Sequence, residues 1–178
     1  MTQPRARTWG RRGHMPAIRV RGRSRRRTSI AALCCCKPGE TARLIYRPRQ
    51  HLLLKGARKG FSWQDYRDLL VRAHFQLDGP IVVVRDNPNT HLAAGLKTYE
   101  AEHDWLTTVH LPSYAPDLNP VEAVWSLVRR AMANTPFDTP DDLDRKLGRE
   151  LRRIQLRPHL TDGCLTATGL SIDPPTPP

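Results

Sequence analysis

The chain has 178 residues, of which 39% are hydrophobic, with 16 prolines, four cysteines and a formal net charge of +12. This length suits one domain of ordinary size, and four cysteines are too few for a disulfide-stabilised scaffold. No apolar run reaches the roughly 18 residues of a membrane-spanning helix. We therefore expect a basic, soluble domain without a membrane partner.

The charge is concentrated in the first third of the chain. Residues 1–60 contain 17 basic residues and one acidic residue, Glu40, whereas residues 61–178 contain 12 basic and 16 acidic residues and are net negative by four. A basic segment of this kind suits a polyanion, because each neutralised phosphate releases condensed counterions. The alternative is a solvated arm without a partner.

A possible export signal must be weighed before the fold. Ser24–Arg27 followed by the apolar run Ile30–Cys36 superficially resembles a signal peptide, but the run is short and no small-residue cleavage site follows. We therefore expect no export, a cytoplasmic location and reduced thiols. Adjacent Cys34, Cys35 and Cys36 lack the spacing of a zinc knuckle, and we expect them to pack in a strand.

The first half of the chain predicts an arm, a hairpin and a helix. Residues 1–27 show no period and are expected to form a basic arm or loop. The β-prone runs Thr28–Cys36 and Ala42–Tyr46 flank a Pro-Gly turn, which predicts an antiparallel hairpin. After a basic connector, Ser62 begins a helix, since Asp65 falls three residues later as in a capping box.

The second half predicts two strands that alternate with helices. The strands are Ile81–Val84 and Trp105–Leu111, and the helices are Leu92–Glu102, Pro120–Ala133 and Pro140–Arg157. This order is an α/β pattern with a mixed sheet flanked by helices. We expect a domain over residues 28–157 and a C-terminal tail over residues 158–178 that is disordered from about residue 173.

Asp86 stands where functional groups gather in open α/β sheets, just past the carboxyl end of a strand. Asn87 follows it directly, and His91 lies on the first turn of the next predicted helix. A carboxylate followed by these side chains suits a hard metal ion. The alternative is that Asp86 only caps the next helix or forms an Asx turn.

Glu122 also has two interpretations. Asn119 is a suitable N-cap, Pro120 suits the first helical position, and Glu122 is the third helical residue. Glu122 could therefore reciprocate the cap and complement the helix dipole. A functional carboxylate would occupy the same first turn and face the edge of the sheet.

The sequence motifs around Asp86 and Glu122 resemble those of a known family. Residues 113–125, SYAPDLNPVEAVW, resemble the Pro-x-Leu-Asn-Pro-x-Glu signature of the mariner superfamily of DDE transposases, in its bacterial insertion-sequence branch. Asp86-Asn87 with His91 is similar to that family's second acid motif, and the spacing from Asp86 to Glu122 is similar too. The resemblance extends over about residues 4–155, including the early segment Thr8–Gly13.

The resemblance implies a ribonuclease-H-like fold in which three carboxylates hold two Mg²⁺ ions, with Mn²⁺ as a possible substitute. Water then cuts DNA at a transposon end, and the freed 3′-hydroxyl attacks target DNA. Asp86 and Glu122 would be the second and third metal ligands. Asn87, His91 and Asn119 would orient them. The arginines expected to contact DNA are Arg11, Arg12, Arg19, Arg21, Arg23, Arg25, Arg26 and Arg27.

Two departures from the family pattern affect these expectations. Arg85 precedes Asp86 where the branch usually has an aromatic residue, and it could either lie outside the sheet or pair with Asp86. The first acid, which ends the first strand in the family, has no counterpart before Glu40. We therefore expect a truncated catalytic domain whose first strand is missing, with a gap or open edge in the sheet.

This truncation leaves the activity of the chain open. A separately encoded N-terminal portion could supply the strand, and a homodimer is possible. A complete enzyme would act on DNA at the bacterial nucleoid. The alternative is an inactive remnant that at most binds DNA nonspecifically through its basic residues.

Overall fold

The computed structural model describes residues 12–14, 27–51, 60–86, 90–112, 115–135, 137, 139–170 and 172, with the backbone alone at residues 90–93. The described residues form β1 (Thr28–Cys35), β2 (Arg43–Gln50), α1 (Trp63–Leu77), β3 (Ile81–Arg85), α2 (Thr90–Ala101), β4 (Leu106–His110), a 3₁₀ turn (Pro116–Leu118), α3 (Pro120–Met132), α4 (Pro140–Gln155) and α5 (Pro158–Thr166). The predicted order of elements is confirmed, and α5 is added to it. Among the helices described, none combines the length and the apolar character needed to cross a membrane.

β1 and β2 form the predicted antiparallel hairpin, with Thr28 opposite Gln50 and Cys35 opposite Arg43. Gly39 supplies the positive φ of 75° that the turn requires. The second strand continues to Gln50, past the predicted end at Tyr46. It does so because Arg47 and Arg49 form ion pairs with acidic side chains of α1.

The hairpin is covered by helices on both faces. Alternate side chains of β1, including Ala31 and Cys35, pack against α1, while Ile30, Ala32 and Cys34 pack against the cluster formed by α3, α4 and α5. Burial on both sides explains why β1 is apolar from Ile30 to Cys35. The expectation that the adjacent cysteines pack in a strand is confirmed for Cys34 and Cys35.

β3 and β4 form a second, parallel sheet, with Ile81 opposite Leu106 and Arg85 opposite His110. One face of β3 packs on α1 and α2, whereas Val82 and Val84 on the other face are 64% and 53% exposed. We predicted a mixed sheet with a gap or open edge where a strand is missing. Within the described residues there are two separate two-stranded sheets, because no ladder joins β1 to β3.

We call the boundary between β1 and β3 the seam. Leu33 of β1 and Ile81 of β3 both pack into the two apolar clusters that contain Leu69 and Leu70 of α1. Both sheets therefore lie against the same helix, and α1 spans the seam through side-chain packing rather than backbone hydrogen bonds.

α5 lies just beyond residue 157, where the predicted domain ends, and it packs on the rest of the protein. Thr161 and Cys164 are buried, and Asp162 Oδ1 accepts a hydrogen bond of 2.8 Å from the backbone N–H of Ala42. Residues 158–166 therefore belong to the folded body rather than to a tail. The segment was missed because its nine residues have no strong apolar period, although Pro158 is a helix-start signal.

Gly95→Ala should destabilise the protein even though alanine is the better helix former. A Cβ at Gly95 would lie 2.5 Å from Cγ of Trp63, so the ring would have to move. The helical gain of about 1 kcal/mol is opposed by an overpacking cost of about 1–3 kcal/mol. We expect a melting temperature lower by about 2–4 °C, measured by circular dichroism.

Gly148→Ala in α4 is the matched control, because a Cβ there meets nothing within 4 Å. This variant should raise the melting temperature. A rise in both variants would mean that Trp63 yields without cost and would contradict the packing argument.

Candidate active site

Asp86 lies directly after β3, at the carboxyl end of the parallel sheet. The backbone N–H of Leu111 donates to the carbonyl of Arg85, so the ends of β3 and β4 lie together there. The Asp86 side chain is exposed, and its Oδ2 accepts a hydrogen bond of 2.9 Å from Nδ2 of Asn119. The position predicted for Asp86 is therefore confirmed, and its partner lies 33 residues away in the sequence.

Asn119 connects that carboxylate to α3. It is the N-cap of α3, and its Oδ1 accepts a hydrogen bond of 3.1 Å from the backbone N–H of Val121. One end of the amide thus caps the helix while the other end donates to Asp86. The side chain is held at both ends, so the N-cap also fixes the orientation of the Asp86 carboxylate.

Glu122 does not reciprocate the cap. The backbone N–H of Asn119, which a capping box would direct to Glu122, donates instead to the carbonyl of Pro116 at 3.0 Å. The Glu122 side chain is 44% exposed, and its cationic neighbour is Nη2 of Arg129 at 3.8 Å, near the limit for an ion pair. The carboxylate oxygens are therefore accessible to another cation.

Arg85 does not pair with Asp86 in the structure. Its side chain is half-buried, and the charge that acts on it is that of Glu100 on α2. Burial lowers the pKa of the Arg85 guanidinium, and Glu100 opposes this effect. Within the described part of the chain, its buried Nε finds no hydrogen-bond partner. Competition between Arg85 and a metal ion for Asp86 is thus not built into this arrangement.

Several predicted residues lie outside the described part of the chain. Asn87 is one of them, and for His91 only the backbone is described, in the first turn of α2. Arg12 and Arg27 are exposed, as a contact with DNA would require. The remaining predicted DNA-binding arginines also fall outside: Arg11, Arg19, Arg21, Arg23, Arg25 and Arg26.

The donor set can be compared with what Mg²⁺ requires. Asp86 and Glu122 offer hard carboxylate oxygens, and Mg²⁺ is commonly held by one or two carboxylates together with water and substrate phosphates. These two residues therefore fit the ion chemically. The described residues contain no group of three or more His, Cys, Asp or Glu side chains that could hold a metal by themselves.

Comparison with known proteins identifies the family. Residues 1–144 match the model of the DDE superfamily endonuclease family, which is well over half of the chain. The chain belongs to the DDE superfamily endonucleases. No curated protein shows significant similarity to it.

A solved structure shares the fold of this DDE endonuclease. It is the crystal structure of the Mos1 strand transfer complex, with a TM-score of 0.52 and 17% identity over 94% of this chain and 51% of the Mos1 chain. The chain thus spans about half the length of that relative. The predicted ribonuclease-H-like α/β fold is confirmed. The resemblance to mariner transposases is confirmed at the level of the DDE superfamily. The bacterial insertion-sequence branch stays a prediction.

Proposed function

We propose that this DDE endonuclease chain provides the catalytic domain of a transposase, which cuts DNA strands and transfers them with the help of a divalent cation. The observation that carries the proposal is the arrangement at the carboxyl end of β3. There Asn119 joins the Asp86 carboxylate to the first turn of α3, from which Glu122 projects. Family membership supports the same chemistry.

Asp86 and Glu122 would hold the cation, with Mg²⁺ favoured by their oxygen donors and Mn²⁺ as a substitute. When bound, the metal stabilises the attacking and leaving oxygens of an in-line phosphoryl transfer. Asn119 keeps the Asp86 carboxylate in one orientation, so the entropic cost of positioning this carboxylate is smaller when the substrate binds. Arg129 offsets part of the Glu122 charge until a stronger cation arrives. Asn87 and His91 are proposed to orient the ligands.

The finer proposals concern the partners. The substrates would be the ends of an insertion sequence and its target DNA, contacted in part by the arginines of residues 11–27. A homodimer is proposed, and a separately encoded N-terminal portion could add a strand at the seam. Cleavage and transfer of DNA strands would take place at the bacterial nucleoid in the cytoplasm.

A second candidate function is binding of DNA without cleavage. It is favoured by one observation, namely that the described residues hold no group of three metal-ligating side chains. With two carboxylates only, affinity for the metal depends on phosphate oxygens of the substrate. A noncatalytic DNA-binding domain with the same fold would have the same basic residues.

A nicking assay separates these two functions. The purified chain is incubated with duplexes carrying the terminal sequences that flank its gene, with Mg²⁺, Mn²⁺ or EDTA. We expect strand nicks in the presence of either metal and none in EDTA. Salt-sensitive DNA binding without nicking in either metal would overturn the catalytic proposal and leave the binding function.

A further inference from the structure

Residues 61–178, which are net negative, contain a strongly basic segment. Residues 145–157 carry six basic residues and one acidic residue, Glu150, although residues 61–178 are net negative by four. Half of the 12 basic residues of this range therefore lie within 13 positions. These positions cover the second half of α4 and the residues that follow it.

The basic side chains of this segment fall into two rows on α4. Lys146 and Arg153 both bind the buried Glu150, each at 2.8 Å, so both cations of that row are engaged internally. The other row consists of Arg145, Arg149 and Arg152, which are exposed at positions i, i+4 and i+7 and therefore lie on one helix face. We call these three residues the α4 arginine stripe.

The stripe is largely free of internal partners. Arg145 pairs with Asp142 at 3.0 Å, whereas neither Arg149 nor Arg152 forms an ion pair with any described residue. By contrast, the arginines of β2 are engaged. Arg47 pairs with Asp65 and Asp68, and Arg49 pairs with Asp65. An arginine in a basic segment is not automatically available to an outside partner. Arg149 and Arg152 are available, because no described acid pairs with them.

The helix dipole does not explain the whole stripe. A cation near the carboxyl end of a helix is stabilised by about 0.3–1 kcal/mol, and the effect is confined to the last turn. Arg152 lies in that turn of α4, but Arg145 and Arg149 are near its middle. The opposite face of α4 is fixed by packing, since Leu147, Leu151 and Ile154 are buried. The helix therefore holds the arginines in a fixed outward row.

We propose that the α4 arginine stripe binds the phosphate backbone of duplex DNA, as a contact surface separate from the arginines of residues 11–27. This inference rests on the proposed function, which makes DNA the substrate. Positions i and i+7 are about 10.5 Å apart along a helix, and successive phosphates of one strand advance about 3.4 Å along the duplex. The stripe can thus face about three successive phosphates.

The test compares two variants that each remove two positive charges. Arg149→Gln with Arg152→Gln removes the free arginines of the stripe. Arg43→Gln with Arg67→Gln is the control, because both of these arginines already pair with acids, Glu40 and Asp68 respectively. Binding of each full-length chain to a 30-base-pair duplex is measured by fluorescence anisotropy in EDTA at several salt concentrations.

For the stripe variant we expect the slope of log affinity against log salt to fall by about 1.8, since each phosphate contact contributes about 0.9. With equal affinity at 1 M salt, this is roughly a 60-fold loss at 0.1 M salt. The control should keep at least nine tenths of the wild-type slope. Equal loss in both variants, or no loss in the stripe variant, overturns the inference. If the wild-type chain does not bind DNA, the inference and the proposed function fail together.

Discussion

Glu122→Gln should abolish metal-dependent nicking of DNA while leaving the thermal unfolding of the chain within about 2 °C of wild type. The amide keeps the size of the side chain but loses the charge that is proposed to hold a divalent cation. Loss of residues that merely orient metal ligands costs 10–100-fold, so we expect a loss of activity beyond about 100-fold. Stability should change little because Glu122 is 44% exposed and takes no part in capping α3.

Asp117→Asn provides the matched control for this experiment. Asp117 is an exposed acid in the 3₁₀ turn just before α3, so its replacement removes the same charge from the same region. We expect the control to retain nicking activity. If Glu122→Gln lowers the melting temperature in proportion to activity, the residue supports the helix rather than the chemistry. Retained nicking in Glu122→Gln would remove Glu122 from the site.

Asp65→Asn should lower the free energy of unfolding at pH 7 by about 2 kcal/mol, since hydrogen bonds to charged groups contribute about 1.5–3 kcal/mol. Asp65 is 8% exposed and closes the capping box of α1 with Ser62. It also pairs with Arg47 and Arg49 of β2 at 3.5 and 3.0 Å. The variant therefore weakens the helix start and removes the ion pair of Arg49, while Arg47 keeps its pair with Asp68. Chemical denaturation measures the loss.

The effect of Asp65 should depend on pH. Burial by itself raises the pKa of the Asp65 carboxyl, but hydrogen bonds from Ser62 and the charges of Arg49 and Arg47 outweigh it and hold the pKa below its usual value. Because the folded-state pKa is lowered, the stabilisation is present above about pH 4 and disappears as the pH falls through the folded-state value. The difference between wild type and variant should narrow below pH 4.

Asp68→Asn is the control for Asp65, since it also pairs with Arg47 but its side chain is 45% exposed. An exposed ion pair contributes about 0–1 kcal/mol, so a loss below about 1 kcal/mol is expected. Equal losses in the two variants would show that burial of Asp65 is not what makes its network strong.

The sequence predicted those elements whose signals are local. Ser62 and Asp65 lie three residues apart, and their capping box is formed as predicted. The position of Asp86 after an apolar strand and the N-cap role of Asn119 were equally readable. The role of Glu122 was not decidable, because it depends on whether the Asn119 N–H is free. That donor is taken by the carbonyl of Pro116 in a 3₁₀ turn that no pattern indicated.

The features that the sequence did not reveal depend on contacts between distant segments. Nothing in the spacing shows that Asn119 donates to Asp86, because the contact depends on how α3 packs against the hairpin. A gap or open edge in the sheet was predicted but not its place, since apolar runs indicate strands but not which strands pair. The net charge of residues 61–178 concealed the α4 arginine stripe, because acidic residues elsewhere in this range outweigh its positive charges in the sum.

The seam has a consequence for how mutations would act on the site. Asp86 extends from the second sheet, whereas Glu122 belongs to α3, which packs on β1 of the first sheet. The relative placement of the two carboxylates therefore depends on two things: the Asn119–Asp86 hydrogen bond, which links the start of α3 to the end of β3, and the packing of both sheets against α1. We therefore expect substitutions at Leu69 or Leu70 to change the spacing of Asp86 and Glu122, the proposed metal ligands. The tolerance of the proposed site to substitution would thus depend partly on residues of the core that lie outside it.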